Sequence, residues 1–179
     1  MKIIALTGPK QVGKTTVANA IADFADPFIH TRILSFASPM RAMLLAMGID
    51  EKYMNNPSLK ETPIDGIKKS ARELLQTLGT DWGRNMVHEN IWLWAIKKKL
   101  ECAEKEGAEF AIIDDCRFDN EAMFIKSLNG MVVRLKRKGY EYGSDNHASE
   151  KPVAHGIDFI CDATDAKEAC ERILNFYAS

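Results

Sequence analysis

Near the N-terminus, Gly8-Pro9-Lys10-Gln11-Val12-Gly13-Lys14-Thr15-Thr16 sets two glycines, a lysine and two hydroxyls at the spacing G-x-x-x-x-G-K-[ST]. This is phosphate chemistry. Glycines let a loop curl without Cβ clashes, and successive backbone N–H groups then converge on an anion. A helix starting at the end of the loop adds its positive N-terminal pole. Lys14 is expected to reach the β/γ-phosphates of a nucleotide, and the Thr15 hydroxyl to sit on Mg²⁺. The surroundings separate this stretch from an ordinary glycine turn. The apolar run Ile3-Ile4-Ala5-Leu6 precedes it, and Val17, Ala20, Ile21 and Phe24 mark an apolar helix face after it.

A second candidate is Asp114-Asp115, which directly follows the apolar Phe110-Ala111-Ile112-Ile113. A carboxylate at a strand end can hold Mg²⁺ or its waters, or accept a proton from an attacking oxygen; taken alone, the same pattern serves a turn or a helix cap. Cations fall in two groups. Arg41, Arg72 and Arg84 lie in a helix-rich block, and Arg134, Lys136, Arg137 and Lys138 follow a strand. Phosphoryl transfer between two anions needs cations on the transferring group and on the acceptor phosphate. The arginine fork binds two oxygens at once, which suits the acceptor clamp. The second group leads into Gly139-Tyr140-Glu141-Tyr142-Gly143-Ser144-Asp145-Asn146, whose glycines would let a cationic lid close and exclude water; the alternative is a solvated hairpin. His147 stands beside polar residues suited to local hydrogen bonds, and no Ser-His-Asp or Cys-His arrangement supports a hydrolase. Cys116, next to the strand-end carboxylates, is either a reactive thiol or, more ordinarily, a small buried filler.

These groups need a scaffold. Strands are expected at 2–7, 31–36, 110–113, 131–135 and 157–160. Helices are expected at 14–24, from Ser38 (N-cap) and Pro39 (first helical position) to Gly48, and from about Ile67 to Leu78. Gly79-Thr80-Asp81 should break the last of these, with Thr80 or Asp81 capping a successor that carries Trp82 and Arg84. A longer helix over 90–106 should turn Ile91, Trp92, Trp94, Ala95 and Leu100 inward and Lys97-Lys98-Lys99 to water. Another helix begins at Asp119 or Asn120, and the last is capped by Asp165, with Ala169, Ile173, Leu174 and Phe176 inward. Residues 49–66 read as a long connection. Strands alternating with helices give an α/β fold with a parallel sheet. One domain is expected over 1–179, with a helical region near 39–106 too long for a simple crossover and a lid over 136–152.

Composition sets limits. The formal net charge of −1 on 179 residues argues against bulk electrostatic binding to nucleic acid or a membrane surface. Four dispersed cysteines without a C-x-x-C pair suit free thiols in a reducing compartment. No apolar run is long enough to span a bilayer, and the N-terminus enters a strand directly, so the expected location is cytoplasmic.

Together the motifs resemble one family. Ser35-Phe36-Ala37-Ser38-Pro39-Met40-Arg41 is similar to the segment that opens its acceptor region. Arg72-Glu73-Leu74-Leu75-Gln76-Thr77-Leu78-Gly79-Thr80-Asp81-Trp82-Gly83-Arg84 closely resembles its most recognisable stretch. Asp115-Cys116-Arg117-Phe118-Asp119-Asn120-Glu121 resembles D-x-R-F-x-N-E, and His147-Ala148-Ser149-Glu150 the lid-end H-x-S-E. The family is the bacteriophage-type deoxynucleoside monophosphate kinases, within the P-loop nucleoside monophosphate kinase group. The resemblance implies a three-layer P-loop kinase fold with a five-stranded parallel sheet, a helical acceptor-binding insertion and a lid. It implies ATP- and Mg²⁺-dependent transfer of the γ-phosphoryl to a dNMP, in the host cytoplasm if the chain is phage-encoded. Carried over by position, Gly8, Lys10, Val12, Gly13, Lys14, Thr15 and Thr16 bind ATP, and Thr15 and Asp115 hold the metal. Lys14, Asp115, Arg117 and Arg137 act at the transferring group, with Arg137 preferred to Lys136 and Lys138 as the lid cation. Arg41, Arg72, Gln76, Asp81, Trp82, Arg84 and Glu121 serve the acceptor. Some relatives carry an acidic residue after the loop lysine; Thr15 and Thr16 stand there in this chain. The competing readings are a P-loop kinase for dephospho-coenzyme A or a nucleoside, and an ATPase switch or motor. The absence of a glutamate after Asp114-Asp115 counts against the motor. A homodimer through an exposed face of the 67–106 helices stays open.

Overall fold

Short apolar strands feeding amphipathic helices build a five-stranded sheet, with every strand parallel to its neighbours in the order β2-β3-β1-β4-β5. The computed structural model describes residues 1–25, 29–143 and 148–178. The chain divides into two units, Met1–Ser35 with Ile96–Ser179, and Phe36–Ala95.

In the first unit β1 (Lys2–Thr7) is central, flanked by β3 (Phe110–Ile113) and β4 (Met131–Lys136); β2 (Thr31–Leu34) and β5 (Phe159–Asp162) form the edges. The inner strands carry apolar residues without alternation because both faces are covered. Ile4 and Leu6 pack with Val17, Ala18 and Ile21 of α1 (Lys14–Ala25) and with Ala169 and Ile173 of α7 (Ala166–Ala178). Ile3 is one residue out of step and lies by Gly130 and Ile125, so α6 (Asp119–Ser127) covers the opposite face. The expected edge strands shift. β2 stops at Leu34, and β5 starts at Phe159 because the Asp158 carboxylate is used to accept from Val132 N–H and Lys126. Phe24 and Phe176, expected inward, are exposed. Phe24 lies on the flank of the stripe through Val17, Ala18, Ile21 and Ala25, and Phe176 stacks on Phe159 with ring centroids 4.6 Å apart. Asp165 does cap α7, accepting from the N–H groups of Lys167 and Glu168.

The second unit has its own core of Leu44, Ile49, Met54, Ile64 and Ala71. It contains α2 (Ser38–Ala46), α3 (Lys52–Asn55) and α4 (Ala71–Gln76), and α5 (Ile91–Lys105) begins in it. The N-cap of α2 is Ala37, one residue earlier than expected, and Pro39 still falls in the first turn. α4 starts at Ala71 and not near Ile67, because Ser70 and Glu73 form a reciprocal capping box: Ser70 N–H donates to Glu73 Oε2 (2.8 Å) and Glu73 N–H to Ser70 Oγ (3.3 Å). Trp94, expected inward, is 61% exposed, since the buried side of α5 runs through Trp92, Ile96, Leu100 and Ala103.

The expected break at Gly79-Thr80-Asp81 is absent. The chain stays helical from α4 through Thr77–Val87, with wide turns typified by His88 N–H donating to Gly83 O. Tertiary packing overrides glycine's weak helix propensity. A Cβ on Gly83 would stand 2.4 Å from the Trp92 ring, and one on Gly79 2.9 Å from Met40 Sδ. The Trp92 indole donates to Gly79 O at 2.7 Å. Gly83→Ala is therefore expected to destabilise the protein by about 1–3 kcal/mol through overpacking, despite alanine's better helix propensity. A thermal midpoint at or above the parent's would show that Trp92 does not need the space.

Candidate active site

The phosphate loop is shaped by its glycines and anchored by a valine. Gly8 has φ +146°, and a Cβ there would meet Leu135 O at 2.7 Å; Gly13 has φ +106°. The Val12 side chain is buried in the core between β1, β4 and α1, which fixes the loop from below and leaves only its backbone for a ligand. Lys10, Thr15 and Thr16 are exposed at the rim. The Lys14 ammonium is turned back on the loop and donates to Gly8 O (2.9 Å) and Pro9 O (2.7 Å). Burial, and then the nearby Arg117 guanidinium, lower its pKa from 10.5 to about 8; Asp115, Glu150 and Asp114 pull the other way.

Parallel strands bring the ends of β1, β2, β3 and β4 to one edge of the sheet, where the second set of groups stands. Thr15 Oγ1 donates to Asp114 Oδ2 at 2.8 Å. Asp115 instead accepts from Ser35 Oγ at 2.6 Å. Of the two residues expected at the metal, Thr15 thus meets Asp114, and Asp115 meets Ser35. The two neighbours point different ways, and nothing in an Asp-Asp dipeptide says which carboxylate faces the loop. Ser35 was missed as a site residue. Its proximity follows from the register Leu34↔Ile113, which needs the strand order to be known.

The Asp115–Glu121 stretch is held tightly. Glu121 is 3% exposed and accepts from the N–H groups of Arg117 (2.7 Å) and Phe118 (3.2 Å). This carboxylate, expected on the acceptor side, caps α6 and fixes the Arg117 backbone. The Arg117 side chain meets Glu150 Oε1 at 3.1 Å. Cys116 is buried, and burial pushes its thiol well above the usual range, as suits a filler. Arg134 donates to Val153 O, so this member of the basic cluster braces the following loop. Arg137 lies over the Tyr140 ring, 4.9 Å from its centroid, where the chain turns at Gly139 (φ +83°). The expected lid residues Ser144, Asp145, Asn146 and His147 lie outside the described residues.

The second unit carries the other candidates. Arg41 donates to Asn55 Oδ1 (3.1 Å), Arg72 pairs with Glu61 (3.4 Å), and Arg84 donates to Glu89 O (3.3 Å). Gln76 stands one turn after Arg72, and its Nε2 is buried without a hydrogen-bond partner among the described residues, which costs energy unless something accepts from it. Asp81 and Trp82 are exposed, and Trp82 tilts against Trp92 at 6.3 Å.

Known proteins include relatives of this chain. The "Putative deoxynucleotide monophosphate kinase" of Acanthamoeba polyphaga mimivirus is 33% identical over 165 residues, covering 84% of this chain and 81% of that protein. The deoxynucleoside-5'-monophosphate kinase of Escherichia phage T5 is 37% identical over 84 residues, 45% of this chain and 32% of the phage protein. Among solved structures, a dephospho-CoA kinase from Campylobacter jejuni aligns over 98% of this chain and 96% of its own, with TM-score 0.48 and 16% identity. Residues 65–161, which take in the 72–84 stretch, the strand-end carboxylates and Arg117, match the deoxynucleotide monophosphate kinase family. With that match and a viral relative aligned over most of both chains, this protein belongs to the deoxynucleotide monophosphate kinase family.

Proposed function

We propose that the protein transfers the γ-phosphoryl group of ATP to a deoxynucleoside monophosphate, giving the diphosphate and ADP, in a Mg²⁺-dependent reaction. The observation that carries this reading is the phosphate loop with Lys14 folded onto it and Thr15 bonded to a strand-end carboxylate. Among the described residues no cluster of three metal-ligating side chains exists. That fits Mg²⁺, which takes one or two protein oxygens and fills its shell with phosphates and water. Thr15 and Asp114 are the groups suited to hold it. They would hold an ion that would neutralise charge developing on the phosphates.

The chain's own residues supply the rest. Lys14 exchanges its two carbonyl acceptors for phosphate oxygens, a stronger charge-assisted contact. Asp115 keeps Lys14 charged and stands ready to orient the attacking oxygen. Arg117 contacts the transferring group, and Arg137 leaves Tyr140 to join it from the lid. Arg72 and Arg84 clamp the acceptor phosphate, with Arg41 beside them in role. The buried Nε2 of Gln76 donates to a base edge, and Asp81 and Trp82 complete recognition of the nucleoside.

The test is ADP release measured across dAMP, dCMP, dGMP, dTMP and their ribose counterparts. Acceptor-dependent turnover with at least one deoxynucleotide is expected, and ATP hydrolysis indifferent to acceptor would overturn the reading. In the same assay Arg84→Ala should raise KM for the deoxynucleotide by about tenfold or more, the loss expected for a charged hydrogen bond, with KM for ATP little changed. The opposite pattern would put Arg84 on the donor side.

A further inference from the structure

Arg117 is gripped at both ends. Its backbone N–H is fixed by the buried Glu121, and its guanidinium Nη1 lies 3.1 Å from Glu150 Oε1 and 3.4 Å from Ser149 O. The Glu150 side chain is only 10% exposed and the Arg117 side chain 34%, so the pair is largely withdrawn from water. The segment presenting Glu150 is itself stitched down. Asp119 Oδ1 accepts from Ala154 N–H (2.6 Å) and His155 N–H (3.1 Å), and Arg134 donates to Val153 O. A carboxylate on a tethered segment, with a short side chain and a partly desolvated partner, holds a fixed position better than a surface pair does.

The need for such a hold is electrostatic. Among the described charged groups around Lys14, Arg117 repels it, while Asp115, Glu150 and Asp114 attract it. Two cations gathered for an anion repel each other until the anion arrives. An arginine has several rotatable bonds and would relieve that repulsion by swinging into solvent. We propose that Glu150 is a positioning residue that holds the Arg117 guanidinium near Lys14, so that both cations are in place before phosphate binds. This rests on the reading of Arg117 as a contact to the transferring phosphoryl group. Glu150 touches no substrate in this scheme; its hold on Arg117 comes in addition to its direct attraction for Lys14.

The experiment is a double-mutant cycle on the full chain, with steady-state kinetics in ATP and the best deoxynucleotide acceptor. Arg117→Ala alone should lower kcat by about 100-fold, the usual scale for one preorganised donor. Glu150→Gln alone should lower kcat by about tenfold, with KM for both substrates within about twofold, the pattern of a group felt in the transition state. On the Arg117→Ala background, Glu150→Gln should lower kcat by much less than tenfold, because only its direct attraction for Lys14 is then lost. If Arg117→Ala turns over like the parent, the reading of Arg117 fails. If Arg117→Ala is slow but Glu150→Gln is as fast as the parent, or slows the Arg117→Ala enzyme by the same factor again, the positioning role fails while the Arg117 reading stands. Should Glu150→Gln not fold, Glu150→Asp takes its place in the cycle. It keeps the charge but withdraws it by one methylene, and the same non-additivity is required.

Discussion

Lys14→Met is expected to lower kcat by at least about 10²–10³-fold while the apoprotein melts at a higher temperature than the parent, because a donor at the site of developing charge is lost. The two effects share one cause. Lys14 is held in a largely buried place where its pKa falls from 10.5 to about 8, by burial first and Arg117 second. A lysine whose folded pKa lies below its unfolded one destabilises the fold while charged. At neutral pH, where both states carry the proton, the cost is on the order of 3 kcal/mol, offset in part by the two hydrogen bonds to Gly8 O and Pro9 O. The unfolded chain binds more protons between pH about 8 and 10.5, so apoprotein stability from this group rises with pH across that window. Methionine keeps the stem and removes the charge. The ligand dependence runs the other way: ATP needs the ammonium form, so parental affinity should weaken as pH climbs above about 8, and Lys14→Met should lack that limb. Thermal melts from pH 7 to 10 with and without ATP check both signs. Retained turnover in Lys14→Met would remove the loop from the reaction.

How much of this was legible in the sequence depends on the range of the interaction involved. The loop was readable because its spacing is local: Gly8, Gly13, Lys14 and Thr15 act within one turn of chain. The inner strands were readable because burial on both faces leaves an unbroken apolar run, as at Phe110-Ala111-Ile112-Ile113. The edge strands and Phe24 were misplaced because their environment is set by neighbours distant in sequence. The Ser70–Glu73 capping box is local, and it marks the start of α4 where apolar spacing alone points nearer Ile67. Gly79 misled for a deeper reason. As punctuation it signals a stop, but Met40, far earlier in sequence, packs where its side chain would stand, and the Trp92 indole, 13 residues later, donates to its carbonyl. At the site, residue types were legible and pairings were not. Two adjacent aspartates, a serine after β2 and a glutamate at 150 acquire partners only when parallel strands bring their ends together.

Those pairings make the two aspartates separable by experiment. Asp114→Asn keeps an oxygen able to accept from Thr15 but loses the charge that draws a divalent cation. Its kcat at low Mg²⁺ should fall by about 10²-fold or more, as for loss of a hard anionic ligand partner, with partial recovery as Mg²⁺ is raised. Asp115→Asn should behave otherwise. Asp115 meets Ser35 and, of the carboxylates around Lys14, is the one that most favours its charged form. Neutralising it lowers the Lys14 pKa further, so kcat/KM for ATP should fall and its alkaline limb move to lower pH, with the Mg²⁺ requirement unchanged. Titrations of rate against Mg²⁺ and against pH on both variants distinguish the two. If Asp115→Asn shifted the Mg²⁺ requirement and Asp114→Asn did not, the Thr15–Asp114 bond would be a contact of the ligand-free loop alone, and the metal role would return to Asp115. A hydroxyl 2.8 Å from one carboxylate oxygen, and 99 residues away from it in sequence, is brought there by β1 and β3 lying side by side, so both aspartates stand within reach of the loop and the two titrations tell which one the ion uses.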